Sequence, residues 1–271
     1  MTKFTALQNP SPWRRIAVAS WRAPNDPTVY GLLQFDFTQG LAFLERLRAE
    51  GAGKITVTHL VARAAALTLR QFPEMNGIIR WGKIYLRNTV DIFLQMATRE
   101  EGGRHDLSGA KIDSCDRKTI GEIARELRDK SEKIHARKDP QFTATLRLLK
   151  WIPACLLPFT LRLISFLIHD LRLHSRVLGL PEDPFGSAMV TNIGSLGSSA
   201  GFAPITPMSR VPLILCVGEI QLRPWVVDGQ VVARPILEMG ATFDHRFMDG
   251  AAAAQILKAF RELIESPEKI L

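Results

Sequence analysis

The segment 243–250 reads Phe-Asp-His-Arg-Phe-Met-Asp-Gly and joins a predicted strand, Gln230–Phe243, to a predicted helix, Gly250–Glu265. A general base must be held in one position, and a strand end fixes the backbone that carries the His245 imidazole. Asp249 has the position of a helix N-cap and is also placed to pair with an arginine. Two interpretations follow from this octapeptide: a catalytic His245, or a buried turn histidine beside a capping aspartate.

The remaining segments are a mixture of strands and helices with no strict βαβ repeat, which predicts an α/β (α+β) domain with a mixed sheet. The Asp228-Gly229 pair predicts a tight hairpin turn late in the chain. No repeat or flexible linker divides the sequence, so residues 1–271 are predicted to form a single domain. The other predicted strands are 28–37, 77–86, 89–98, 187–192 and 211–220, and the other predicted helices are 38–50, 56–71 and 119–138.

The composition is that of a globular protein with a sizeable core, since 46% of the 271 residues are hydrophobic and 23% are charged. The 35 Lys and Arg residues exceed the 27 Asp and Glu residues by 8. This excess favours a negatively charged partner, either a nucleic acid, an anionic lipid or a phosphorylated cofactor such as coenzyme A. Nucleic acid is set aside because the basic residues lack interleaved aromatic side chains.

The three cysteines are spaced too widely for a disulfide framework or a zinc site, and this predicts a cytoplasmic location. The start of the chain, Met1 to Arg15, has no apolar run of signal-peptide length, and no stretch reaches the roughly 20 apolar residues of a spanning helix. His169 and His174 point to different helix faces, so no metal site is predicted.

An unusual insert occupies about residues 139–184 and contains the runs LRLLKWI (146–152) and LRLISFLI (161–168). Five basic residues against Asp170 give residues 146–176 a charge of +4. We expect two amphipathic helices broken around Pro153 and Pro158. Three roles remain open: packing against the domain or a neighbouring subunit, contact with a membrane surface, and a lid over a long acyl chain.

The segment around His245 resembles the Asp-His-Arg-x-x-Asp-Gly signature of the 2-oxoacid dehydrogenase acyltransferase (E2) catalytic domain. Four further segments resemble the same family in the same order, and together they span most of residues 11–138 and 185–271. The resemblance implies a chloramphenicol acetyltransferase-like fold. These segments are 55–77 (ITVTHLVARAAALTLRQFPEMNG), 189–197 (MVTNIGSLG), 202–220 (FAPITPMSRVPLILCVGEI) and 250–271.

Transferred residue by residue, the resemblance implies that His245 is the general base, which takes a proton from the thiol of coenzyme A or of a carrier. It implies that the Thr191 hydroxyl stabilises the oxyanion. The alternative is that Thr191 is an ordinary strand residue, present for its β propensity. Asp249 is implied to pair with Arg14 or Arg15, and the comparison does not separate these two arginines.

The resemblance also places Asn192, Gly194 and Ser195 near the channel that receives the pantetheine arm of coenzyme A. Turn geometry explains Gly194 equally well. In such enzymes the histidine and the hydroxyl come from different chains of a homotrimer, and the apolar pair Ile270-Leu271 resembles the end by which E2 trimers join into larger cages.

These implications predict an acyltransferase that moves an acyl group between coenzyme A and a thiol acceptor. The catalytic resemblance starts by about residue 11, so we expect no lipoyl or subunit-binding domain, and a lipoyl group or other carrier must come from a separate protein. One alternative is a non-catalytic E2-like trimeric scaffold that recruits a partner or a membrane through the insert. Another is an O- or N-acyltransferase that acts on a small molecule.

Overall fold

The structure is a computed structural model that describes residues 26–51, 53–99, 105–135, 152–153, 155–173 and 182–271. Arg14 and Arg15, and the predicted helix over 146–152 apart from its last residue, lie outside the described residues.

Six strands form one mixed sheet, which lies at the centre of the described fold. The strands are β1 (Thr28–Asp36), β4 (Ile92–Arg99), β5 (His105–Ile112), β6 (Ala188–Asn192), β7 (Leu213–Val227) and β8 (Gln230–Asp244), in the spatial order β1-β8-β7-β6-β4-β5. The short strand β6 runs parallel to β4 and β7, and every other pair in the sheet is antiparallel. This arrangement confirms the predicted mixed sheet. A separate hairpin consists of β2 (Gly77–Arg80) and β3 (Lys83–Leu86).

Helices cover one face of the sheet and bury most of the core against it. The described residues contain α1 (Thr38–Ala49), α2 (Val57–Gln71), α3 (Ile120–His135), α4 (Leu157–Ser165) and α5 (Gly250–Glu265). Helix α2 is the central one, since Leu60, Val61 and Leu69 are buried in the same cluster as Leu237 and Met239 of β8. Truncating such a leucine to alanine costs about 2–5 kcal/mol, so the packing of α2 fixes the sheet beneath it.

Three segments differ from the sequence-based prediction. The single strand predicted over 77–86 is wrong, because Trp81 and Gly82 adopt φ of 50° and 71° and fold it into the β2–β3 hairpin. Strand β5 was not predicted. Strand β7 continues to Val227 through Pro224, which is tolerated because β7 beyond Val217 pairs only with β8 and needs no donor on its other edge.

The described part of the insert is helix α4, followed by a π-helical turn over Phe166–Asp170. The second of the two predicted helices begins at the expected proline, because Pro158 lies in the first turn of α4, where a backbone N–H has no partner within the helix. Two contacts with residues 208–210 hold this turn in place. His169 is buried with its Nε2 3.2 Å from the Met208 carbonyl oxygen, and Asp170 forms an ion pair with Arg210.

Helix α2 begins with a capping box built from Thr56 and His59. The backbone N–H of Thr56 donates to Nδ1 of His59 at 3.0 Å, so this ring nitrogen must be unprotonated. Burial lowers the pKa of His59 to about 4, and the nearby charge of Arg128 acts in the same direction. The cap therefore depends on a neutral histidine.

We predict that His59 makes the protein less stable as the pH falls from about 6.5 to 4. The pKa of His59 is lower in the folded state than in the unfolded state, so the unfolded chain takes up the proton first as the pH falls. The free energy of unfolding therefore decreases by about 3 kcal/mol across this window. Urea unfolding at pH 7, 6, 5 and 4 measures the effect. In His59→Gln, which keeps a capping side chain without titrating, this part of the pH dependence should vanish. Parallel pH profiles for the two proteins would contradict the prediction.

Candidate active site

His245 lies immediately after β8, where hydrogen bonds to two neighbouring segments hold the backbone. The N–H of His245 donates to the carbonyl of Pro27 at 2.9 Å, directly before β1, and the N–H of Asp244 donates to the carbonyl of Pro212 at 3.0 Å, directly before β7. The His245 side chain is exposed. A fixed backbone with a solvent-accessible imidazole is what a general base requires.

Asp244 and Arg246 close this turn as a clamp. The Asp244 carboxylate is buried and accepts hydrogen bonds from the backbone N–H of Arg246 at 3.0 Å and from its Nη2 at 2.6 Å. The hydrogen bond and the negative charge of the Asp244 carboxylate raise the pKa of Arg246, so the guanidinium stays charged. On the far side of the turn the Phe247 ring packs so closely on Gly77 that a Cβ there would lie 2.8 Å from the ring. The turn is therefore rigid on both sides of His245.

Asp249 is the N-cap of α5, as its position in the sequence predicts. Its backbone is extended and its Oδ1 accepts a hydrogen bond from the Ala252 N–H at 2.9 Å. The carboxylate thereby satisfies one of the free N–H groups at the start of the helix. The partners implied for Asp249, Arg14 and Arg15, lie outside the described residues.

Thr191 occupies the parallel part of the sheet, between Gln95 of β4 and Cys216 of β7. It is half-buried and lies on the same face as Met189, which belongs to a small cluster on the side of the sheet away from the helices. The hydroxyl is therefore held on a paired strand, as an oxyanion donor must be.

Asn192 organises the turn that follows Thr191. Its Nδ2 donates to Thr58 Oγ1 at 2.8 Å, and its Oδ1 accepts from the Ser195 N–H at 3.0 Å. Gly194 has a structural reason for its identity, because a Cβ would lie 2.5 Å from the backbone of Gly218. The structure thus gives these three predicted coenzyme A residues turn roles, and contact with coenzyme A remains a prediction.

Two strand glycines that were not among the predicted site residues shape this face of the sheet. A Cβ on Gly218 of β7 would collide with the carbonyl oxygen of Ser199, and one on Gly240 of β8 would collide with that of Gly201. The loop over 199–202 therefore crosses directly over both strands. Glycine inside a strand is a signal of such close approach, so the sequence offered a clue.

The structure does not bring His245 and Thr191 together within one chain. Thr191 is level with Cys216, and Cys216 pairs with Gly240 of β8. His245 lies five residues beyond Gly240, about 17 Å along the strand, and two strand spacings add about 10 Å across the sheet. A reacting carbonyl within hydrogen-bond reach of both side chains cannot be accommodated by one chain.

Comparison with known proteins identifies the family. The fold is that of E2 catalytic cores: the dihydrolipoamide acetyltransferase of Azotobacter vinelandii matches with a TM-score of 0.65 at 25% identity, covering 91% of this chain and 84% of that one. A probable dihydrolipoamide acetyltransferase from Listeria monocytogenes matches with a TM-score of 0.66 at 21% identity, covering 98% and 95%. The family of 2-oxoacid dehydrogenases acyltransferase (catalytic domain) matches residues 14–141 and 172–271. The chain belongs to this family.

Curated relatives carry E2 names. The acetyltransferase component of the pyruvate dehydrogenase complex of Acholeplasma laidlawii is 23% identical over 82% of this chain. The mitochondrial succinyltransferase component of the 2-oxoglutarate dehydrogenase complex of Saccharomyces cerevisiae is 26% identical over 78%. This chain spans only 33% and 36% of the lengths of these two relatives.

We predict that Asp249→Ala lowers the free energy of unfolding by about 1 kcal/mol, because α5 loses its capping acceptor. Asp249→Asn should stay within a few tenths of a kcal/mol of the wild type, since asparagine caps equally well. Equilibrium urea unfolding of the three proteins measures both effects. Equal destabilisation by the two substitutions would show that the charge of Asp249, and not its capping bond, carries the stability.

Proposed function

We propose that this protein is an acyltransferase that moves an acyl group between coenzyme A and a thiol acceptor. Membership of the E2 catalytic family supports the reaction class. The observation that carries the assignment to residues is the held turn at His245, whose backbone is fixed at Pro27 while its imidazole is exposed. The acceptor is proposed to be a dihydrolipoyl group or other thiol carrier on a separate protein.

The proposed reaction is thiol exchange at a thioester. His245 removes the proton of the attacking thiol, and the thiolate adds to the thioester carbonyl carbon. The carbonyl oxygen becomes an oxyanion, to which the Thr191 hydroxyl donates a hydrogen bond. When the intermediate collapses, the carbon–sulfur bond of the leaving thiol breaks, and that thiolate recovers the proton from His245. Neither direction of transfer consumes a further reactant.

We propose that the working unit is a homotrimer in which His245 of one chain meets Thr191 of its neighbour. The separation of about 17 Å along the strand within a single chain supports this arrangement. One structural match is described as the cubic core of the pyruvate dehydrogenase multienzyme complex, which extends the proposal to a larger assembly.

Coenzyme A is proposed to approach along Asn192, Gly194 and Ser195. The described residues contain no cluster of side chains able to hold a metal ion, and none is assigned to the reaction. We further propose that Asp249 pairs with Arg14 or Arg15, and that the protein is cytoplasmic. The free thiols of Cys115, Cys155 and Cys216 accord with that location.

The first test is release of free coenzyme A from acetyl-CoA and longer acyl-CoAs with dihydrolipoamide as acceptor. We expect His245→Ala to lower kcat by about 10²–10⁴-fold, and Thr191→Ala by about 10²–10³-fold, with Thr191→Ser retaining most activity. His59→Gln serves as a histidine control and should keep wild-type kcat at pH 7.5. Acceptor-dependent release that survives His245→Ala would overturn the proposed mechanism.

The second test is complementation between the two inactive variants. His245→Ala and Thr191→Ala are coexpressed in equal amounts, so that chains assort at random in a cyclic trimer. If each site takes the histidine and the threonine from different chains, about a quarter of the sites are intact and activity returns to about that fraction. Mixed trimers that stay as inactive as the separate variants would place both side chains of each site in one chain.

A further inference from the structure

Helix α4 and the turn after it present an apolar stripe to solvent. Leu156, Phe159, Leu163 and Phe166 recur at three- and four-residue spacing on one face, and Phe159 is 66% exposed. The buried residues Ser165 and His169 lie on the opposite side, toward the protein.

The β2–β3 hairpin continues this stripe. Trp81 at its tip is 64% exposed and packs edge-on against Phe166, with ring centroids 5.7 Å apart. Ile84, Tyr85 and Leu86 on β3 are also exposed. Successive strand residues point to opposite faces, so Tyr85 lies on the other face of the hairpin from Ile84 and Leu86. The apolar surface joined by the Trp81–Phe166 contact consists of Trp81, Leu156, Phe159, Leu163 and Phe166.

Hydrogen bonds from Arg210 connect the two elements that carry this apolar surface. Arg210 donates from Nη1 to Asp170 Oδ1 at 3.0 Å, and from the same nitrogen to the carbonyl of Ile79 at 3.2 Å. One arginine therefore ties the turn after α4 to strand β2. The turn after α4 and strand β2 are therefore held in one relative position.

The described segments that carry the apolar surface are predominantly basic. Lys83 and Arg162 are exposed at its edges, and Arg172 is exposed just beyond the π-helical turn. Within the described segments Gly77–Leu86 and Leu156–Leu173, Asp170 is the only acidic residue, and Arg210 neutralises it. The surface thus combines apolar and aromatic side chains with a basic edge.

We propose that this surface docks onto a bilayer that contains anionic lipids. Tryptophan and phenylalanine favour the boundary between headgroups and acyl chains, and lysine and arginine are attracted to anionic headgroups. A second copy of the same surface would bring like charges together, which disfavours self-association through this face. No helix among the described residues is long and apolar enough to cross a membrane.

The β2–β3 hairpin connects the apolar surface to the His245 turn. Gly77 at the start of the hairpin contacts Phe247, two residues after His245, and residues 142–171 fall outside the family match. The β2–β3 hairpin therefore contacts the His245 turn at its start and α4, which lies outside the family match, at its tip. Docking of the apolar surface does not depend on catalysis.

Co-sedimentation with vesicles tests the proposal. Wild-type protein and the inactive His245→Ala variant are mixed with phosphatidylcholine vesicles, with or without phosphatidylglycerol. We expect both proteins to bind the anionic vesicles, and binding to weaken as salt is raised. The double variant Phe159→Ser/Leu163→Ser should lose binding, and Arg162→Glu should weaken it by about tenfold or more.

Matched controls lie on other surfaces. Leu222→Ser/Val226→Ser removes two exposed apolar side chains of the β7–β8 hairpin, and Arg117→Glu reverses an exposed charge near the start of α3. Both controls should bind like the wild type, with the same mass by light scattering. The proposal is overturned if the wild type ignores anionic vesicles, if it binds neutral vesicles equally well, or if Phe159→Ser/Leu163→Ser changes the oligomer mass without changing vesicle binding.

Discussion

The pairing of β8 with a strand on each side is the constraint on which the rest of the structure depends. Residues Ile236–Asp244 of β8 pair with Thr28–Asp36 of β1, and β8 pairs with β7 from Gln230 to Phe243. Its end therefore cannot shift without breaking two ladders. Because His245 follows directly, the imidazole inherits the rigidity of the sheet, and the Asp244–Arg246 clamp sets the direction in which the chain leaves it.

Much of the fold was readable from local patterns. The helix over Gly250–Glu265 has the predicted bounds, and the Asp228-Gly229 turn does join β7 to β8, because capping and turn preferences depend on adjacent residues. Strand β5 was missed because two of its buried positions, Ser108 and Ala110, are only weakly hydrophobic. The split of 77–86 was missed because every residue of β3 is exposed, so no burial pattern marks it as a separate strand. Pro158 marks the start of α4, because proline disrupts a helix in its interior but is tolerated in its first turn.

The site was predictable in its residues and not in its geometry. The FDHRFMDG segment and Thr191 are visible as motifs, but their separation follows from strand register, which no local pattern specifies. The crossing of residues 199–202 over Gly218 and Gly240 is likewise a tertiary fact. The same limit applies to the insert. Its amphipathic character was predictable from the sequence, but the contacts of Arg210 with Asp170 and of His169 with Met208, which orient the helix, join segments about 40 residues apart.

The distance between Thr191 and His245 also bears on when the chemistry begins. In the proposed trimer, a newly synthesised chain has both side chains but no complete reaction centre. Acyl-CoA would therefore be safe from wasteful hydrolysis until assembly is complete, and turnover would rise steeply with protein concentration near the assembly constant. A copy that lacks only one of the two side chains would disable a single site of its trimer, so that a trimer with two sound neighbours would keep two complete sites.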